Sequence, residues 1–152
     1  MDIKPPRVLL MDILDVQVLP EQSLLYSAFN RDLNHEEFKA ALLYVVDQFQ
    51  EHSTLYWLLD SSRNNFTLQD QGWVIKELSL LINQTTIRKA ALVHNGNVFE
   101  SLVADIMRDR IYHSHGPVQE LEHFSSIPAA LDWLLPGIPQ DFFKFISPAD
   151  KL

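Results

Sequence analysis

The sequence predicts an α/β fold, a mixed sheet of four to five strands covered by about four helices, and three observations predict it. The first is Leu55-Tyr56-Trp57-Leu58-Leu59, a charge-free apolar run short enough for a strand covered on both faces, which ends abruptly at Asp60-Ser61-Ser62-Arg63-Asn64-Asn65. The second is a later run of the same kind, Ile87 to His94, closed by Asn95-Gly96. The third is that segments with apolar residues at three- and four-residue spacing stand before, between and after these runs, so strand and helix alternate and the later strands are parallel.

In order, Arg7 to Ile13 and Val16 to Leu19 read as short β-compatible runs, and Pro20-Glu21-Gln22 separates them from Ser23 to Phe29. An N-terminal antiparallel pair is expected there. Asn34 with Glu37 forms a capping-box pattern ahead of Phe38, Ala41, Leu42, Val45, Val46 and Phe49, which predicts a helix over 34–51. After the central strand, Thr67 with Asp70 predicts a second cap and a helix reaching about Asn83. Asn97 with Glu100 opens a third helix. Pro117 to Phe124 supplies a last strand, at an edge because of its proline, and Ser126-Ile127-Pro128 opens a short helix to Leu135 that Pro136-Gly137 stops. Right-handed crossovers then place the helices mainly on one face.

A chain of 152 residues, 47% of them hydrophobic, is enough for one core, so residues 1–152 are expected to form a single domain. The stretch 136–152, with Phe142, Phe143, Phe145 and Ile146, is too apolar for a free end and is expected to pack on the domain or across a homodimer. A formal charge of -8 argues against nucleic acid and anionic lipid as partners, both of which need clustered Lys and Arg. The absence of cysteine excludes disulfides, thiolate metal sites and Cys nucleophiles. Without an apolar signal core or a run of membrane-spanning length, a cytoplasmic protein with no integral membrane segment is expected.

Ligands of open parallel sheets gather beyond the carboxyl ends of the strands, which brings Asp60, Ser61, Ser62 and Arg63 toward His94, Asn95 and Asn97. A Ser-His-Asp hydrolase is the tempting reading. No G-x-S-x-G elbow is present, and adjacent Asp60 and Ser61 project in different directions, so turn-holding and capping roles are favoured and no enzyme is expected. His113-Ser114-His115, on an extended segment with His94 or His123, offers imidazoles for a metal, but without a spaced carboxylate or thiolate an exposed turn is favoured. Trp57, Trp73 and Trp133 read as core residues. No glycine-rich phosphate loop is present, which excludes nucleotide binding by that route, and without third and fourth ligands at recognisable spacing no metal is expected, nor any other cofactor.

Leu55-Tyr56-Trp57-Leu58-Leu59-Asp60 as central strand, Lys89-Ala90-Ala91-Leu92-Val93 beside it and a closing Ala129-Ala130-Leu131-Asp132-Trp133-Leu134 helix resemble the SpoIIAA-like fold of STAS domains. The resemblance covers about residues 7 to 135 and extends to bacterial STAS/SEC14-type proteins of this length. In STAS antagonists a regulatory phosphoserine lies in an Asp-Ser-Ser-Gly run opening the helix after the central strand. Here that helix opens as Gln69-Asp70-Gln71-Gly72, with the glycine kept and the serines missing, so by resemblance Asp70 is a fixed negative charge. The resemblance implies a regulatory or protein-interaction domain with its surface from Ser61 to Gly72, or, from the SEC14 side, a carrier of a small apolar or lipid-like ligand.

Overall fold

A computed structural model describes residues 10, 12–115 and 119–139, without the side chains of residues 98, 99 and 113–115. The apolar tail residues Phe142, Phe143, Phe145 and Ile146 therefore lie outside the described residues. Strand β1 (Leu14–Leu19) turns through a 3₁₀ segment (Pro20–Gln22) into β2 (Leu24–Phe29), and helix α1 (His35–His52) leads to β3 (Tyr56–Asp60). Helix α2 is continuous from Leu68–Trp73 through a π-helical stretch, Val74–Leu78, to Ser79–Asn83. Strand β4 (Lys89–Val93), helix α3 (Val98–His115), strand β5 (Glu120–Phe124) and helix α4 (Ile127–Leu134) complete the order.

The five strands lie side by side in sequence order; β1 and β2 are antiparallel, and each later pair is parallel. Three successive right-handed crossovers that all step the same way put their helices on one face. The core divides accordingly. Leu25, Phe29, Trp57 and Leu59 pack with α1, α2 and α3, while their alternating neighbours Leu24, Tyr26, Ala28 and Leu58 pack with Ile127, Ala130, Leu131 and Leu134 of α4. Three helices share one face as the sequence predicts, and α4 covers the other.

Local signals explain the helix ends. Asn34 Oδ1 accepts from Glu37 N–H at 2.9 Å and Glu37 Oε1 accepts from Asn34 N–H at 3.0 Å, a closed capping box. Ser126 caps α4, with Pro128 in its first turn where no amide partner is lost.

Two expectations need correction. Residues 10, 12 and 13 are helical, and the first strand begins only at Leu14. Leu10, Ile13 and Leu14 are buried at three- and four-residue spacing, and the short apolar stretch Val8 to Met11 does not distinguish that period from a buried strand. Helix α3 runs through His115, so His113 and His115 are not on an extended segment. The side chains of His113 and His115 are outside the described set.

Candidate functional site

The carboxyl ends of β2, β3 and β4 meet beneath the loop from Ser61 to Thr67, and that loop is pinned at almost every residue. Asp60 Oδ1 accepts from Ser62 N–H at 3.0 Å, closing a tight turn. Ser61 donates both its N–H, at 2.8 Å, and its hydroxyl, at 2.9 Å, to the carbonyl of Val93 at the end of β4. Asn64 Oδ1 accepts from Leu33 N–H at 2.9 Å, and Asp32 Oδ1 accepts from Asn65 N–H at 2.8 Å. Four bonds thus tie the loop to β4 and to the segment before α1.

The head of α2 continues this framework. Thr67 Oγ1 accepts from Asp70 N–H at 3.0 Å, while Asp70 Oδ2 accepts from Thr67 N–H at 3.1 Å. The other oxygen of Asp70 lies 2.7 Å from His35 Nδ1, and Asp70 is 0% exposed. Its charge is directed inward, to a helix start and an imidazole, so it is not part of the outer surface. Gln71 and Gly72 are half-buried. What the loop presents outward is Arg63, Asn65, Thr67, Gln69 and above all Leu68, 86% exposed.

His94 and Asn95 follow β4, but His94 turns toward β5 and not toward Asp60. Its Nδ1 accepts from Gly96 N–H at 3.1 Å, where Gly96 has a φ of 83° that suits glycine. His94 Nε2 is 3.1 Å from His123 Nδ1, and His123 Nε2 is 2.5 Å from Asp105 Oδ1 on α3. One arrangement satisfies all of these contacts: both rings neutral, each donating from Nε2 toward the next acceptor. Burial, followed by the neighbouring His123, pushes the His94 pKa down, and Asp105 opposes that shift. The hydrogen bond from His123 holds the Asp105 carboxyl below its ordinary range. Burial, with Asp32 nearby, raises the carboxyl pKa of Glu100 in the first turn of α3.

The arrangement leaves Ser61 with its hydroxyl on a carbonyl and His94 with both nitrogens engaged elsewhere, so the serine, histidine and aspartate brought near by the strand order do not form a hydrogen-bonded triad. Asn95 is exposed, and its Oδ1 accepts from Asn97 N–H at 2.9 Å, as expected for a turn. Asn97 Oδ1 in turn caps α3 by accepting from Glu100 N–H at 3.1 Å. Of the tryptophans, Trp57 is buried and donates to Ser27 Oγ at 2.8 Å, whereas Trp73 and Trp133 are half-buried. No group of three or more metal-binding side chains occurs among the described residues.

The histidine chain was not legible in the sequence, because its members are 29 and 18 residues apart and meet only through the β4–β5 register, Leu92 opposite His123. A second feature absent from the sequence reading is a cavity of about 110 Å³ between α2, α3 and the sheet, walled by Trp57, Leu59, Phe66, Leu78, Ile82 and Met107 among others.

A crystal structure of an uncharacterized protein of the DUF3478 family from Shewanella loihica PV-4, described as having a SpoIIAA-like fold, superposes with a TM-score of 0.53. It covers 80% of this chain and 93% of the other at 16% identity. The chain has a SpoIIAA-like fold. No family model matches the sequence, and no curated protein does. At that identity the likeness carries the fold alone. No described helix is long and apolar enough to cross a membrane.

Proposed function

We propose that this chain is a non-enzymatic regulatory or protein-interaction domain of SpoIIAA/STAS type, which receives a protein partner on the loop and helix head from Ser61 to Gly72. The observation that carries this reading is Leu68, a large apolar side chain 86% exposed on a segment whose backbone is fastened on both sides. An anchor held in place loses little conformational entropy on docking, which is where much of the cost of association lies. The overall charge of -8 favours a basic partner surface around a socket for Leu68.

Replacing Leu68 by a photo-reactive amino acid and irradiating the native cells tests this, with Leu43, half-exposed on α1, as the control position. A defined protein adduct from position 68 alone, with affinity for the purified partner lowered at least tenfold by Leu68→Asp at unchanged melting temperature, is the expected result. Adducts of equal yield from both positions would defeat the reading.

The carrier reading draws its support from the cavity under α2. At about 110 Å³ it falls short of the roughly 300–1,000 Å³ of pockets for drug-sized ligands, so a lipid chain is too large for it and only a much smaller apolar ligand suits it.

A further inference from the structure

We propose that the cavity between α2 and α3 is a binding site for one neutral, apolar molecule of single-ring size. Three observations lead there. The first is size and lining. Packed interiors ordinarily leave few spaces larger than a water, whereas this partly open pocket is about 110 Å³, with Leu, Ile, Phe, Trp and Met side chains forming most of its wall. An enclosed apolar cavity of roughly 150 Å³ takes up benzene, which sets the scale of ligand that such a volume admits.

The second is the helix above it. Val74 and Leu78, the two ends of the π-helical stretch, both line the cavity, and Ser79 beyond it donates to the Ile75 carbonyl at 2.7 Å. Such widened turns interrupt an α-helix at a cost and are frequent at functional sites. Here the extra residue sets the register of the side chains that form the roof.

The third is the state of the polar groups in the wall, which sets the ligand's chemistry. The Arg108 guanidinium is shared among Asp105, Asp109 and Glu122. Gln119 Nε2 donates to the carbonyls of Ile82 and Ile87, at 3.1 and 2.7 Å. The nitrogens of His123 face His94 and Asp105. With these donors committed inside the protein and the carboxylates of Glu120 and Glu122 in the same wall, an anionic head would enter without compensation, a cost that a neutral hydrocarbon or arene avoids. Trp57 and Phe66 are aromatic members of the wall, which suits an aromatic guest. Phe66 belongs to the surface loop as well, but the site stands whether or not a protein docks there.

Titrating the full chain with benzene while recording its carbon-13 methyl spectrum tests the proposal. The expected result is saturable perturbation of the Leu78, Ile82 and Met107 methyls, none at Leu131 on the far face of the sheet, and a raised melting temperature. Benzoate should leave the same methyls unmoved. Ala104→Leu adds volume at the cavity wall and should weaken benzene at least tenfold; Ala90→Val does the same from β4 should the first variant not fold. Unperturbed methyls in saturating benzene, binding undiminished in a folded filling variant, or benzoate binding as well as benzene would each overturn it.

Discussion

Asp70 shows how one side chain can join a loop, a helix and a neighbouring element. Each carboxylate oxygen has its own partner, Thr67 N–H for one and His35 Nδ1 for the other, and neither is in contact with bulk water. Asp70→Ala removes the capping acceptor and leaves His35 unpaired, so it should cost about 1–3 kcal/mol in urea unfolding at constant slope. Asp70→Asn, which retains an acceptor oxygen, should cost less, and equal losses for both would show that the cap bond contributes nothing. Glu100 is the opposite case, a buried carboxyl whose pKa is raised. The unfolded chain releases that proton first, so stability is lost as pH rises through the folded-state value. Glu100→Gln should therefore raise the melting temperature at pH 7, by about 2–4 °C for each kcal/mol relieved, and an unchanged or lower value would refute the desolvation argument. The Thr67–Asp70 and Asn34–Glu37 pairs were legible in the sequence because a cap is made within one turn. That Asp70 is wholly buried was not, since its burial depends on His35, half the distance back along the chain from a quite different helix.

At the scale of elements, the β4–β5–α3 corner is held by contacts that local patterns do not encode. The His94–His123–Asp105 chain fastens a strand end, an edge strand and a helix while both rings are neutral, and an added proton on either inner nitrogen would set two donors against each other. His94 is held below its ordinary pKa. Between its lowered folded value and about 6.5 in the unfolded chain, the unfolded state binds more protons, so stability present at neutral pH should fall as the solution is acidified. The melting temperature of the protein should drop from pH 7 to pH 5.5, and His94→Gln should flatten that slope; parallel slopes would exclude the chain as its cause. Strand β5 is an edge, as its nearby proline indicated. What protects that edge was not legible: Tyr112 from α3 donates its hydroxyl to the Leu121 carbonyl at 3.0 Å and accepts from Leu121 N–H at 2.6 Å, occupying a position another strand would use. Tyr112→Phe should leave both backbone groups open and increase concentration-dependent association in sedimentation, whereas a strictly monodisperse variant with the sedimentation of the parent would show that the hydroxyl does not guard the edge.

The whole molecule is asymmetric across its sheet, and the asymmetry follows from strand order. Sequential parallel neighbours commit α1, α2 and α3 to one face, which leaves α4 to cover the other. The alternation of strands and helices conveys the shared face from the sequence, but not that the last helix covers the other, although continuous apolar strands such as Leu55 to Leu59 need cover on both sides. The two faces are not equally filled. The crowded side holds a partly open pocket of about 110 Å³, which leaves its lining side chains with fewer packing partners. On the other side Ile127, Ala130, Leu131 and Leu134 close over Tyr26, Leu58, Ala91 and Val93, with Leu131 2% exposed. Among the described residues a single short helix covers that surface, and it has few neighbours able to relax into a gap. Leu131→Ala should thus cost about 2–5 kcal/mol, near the upper end of that range. Leu78→Ala, beside the existing cavity, removes the same atoms but enlarges a void that is already open, and the two variants compared by urea unfolding separate these environments. A larger loss at Leu131 than at Leu78 is expected; the reverse order would mean that the π-helical roof of the cavity, and not α4, is the tighter of the two layers.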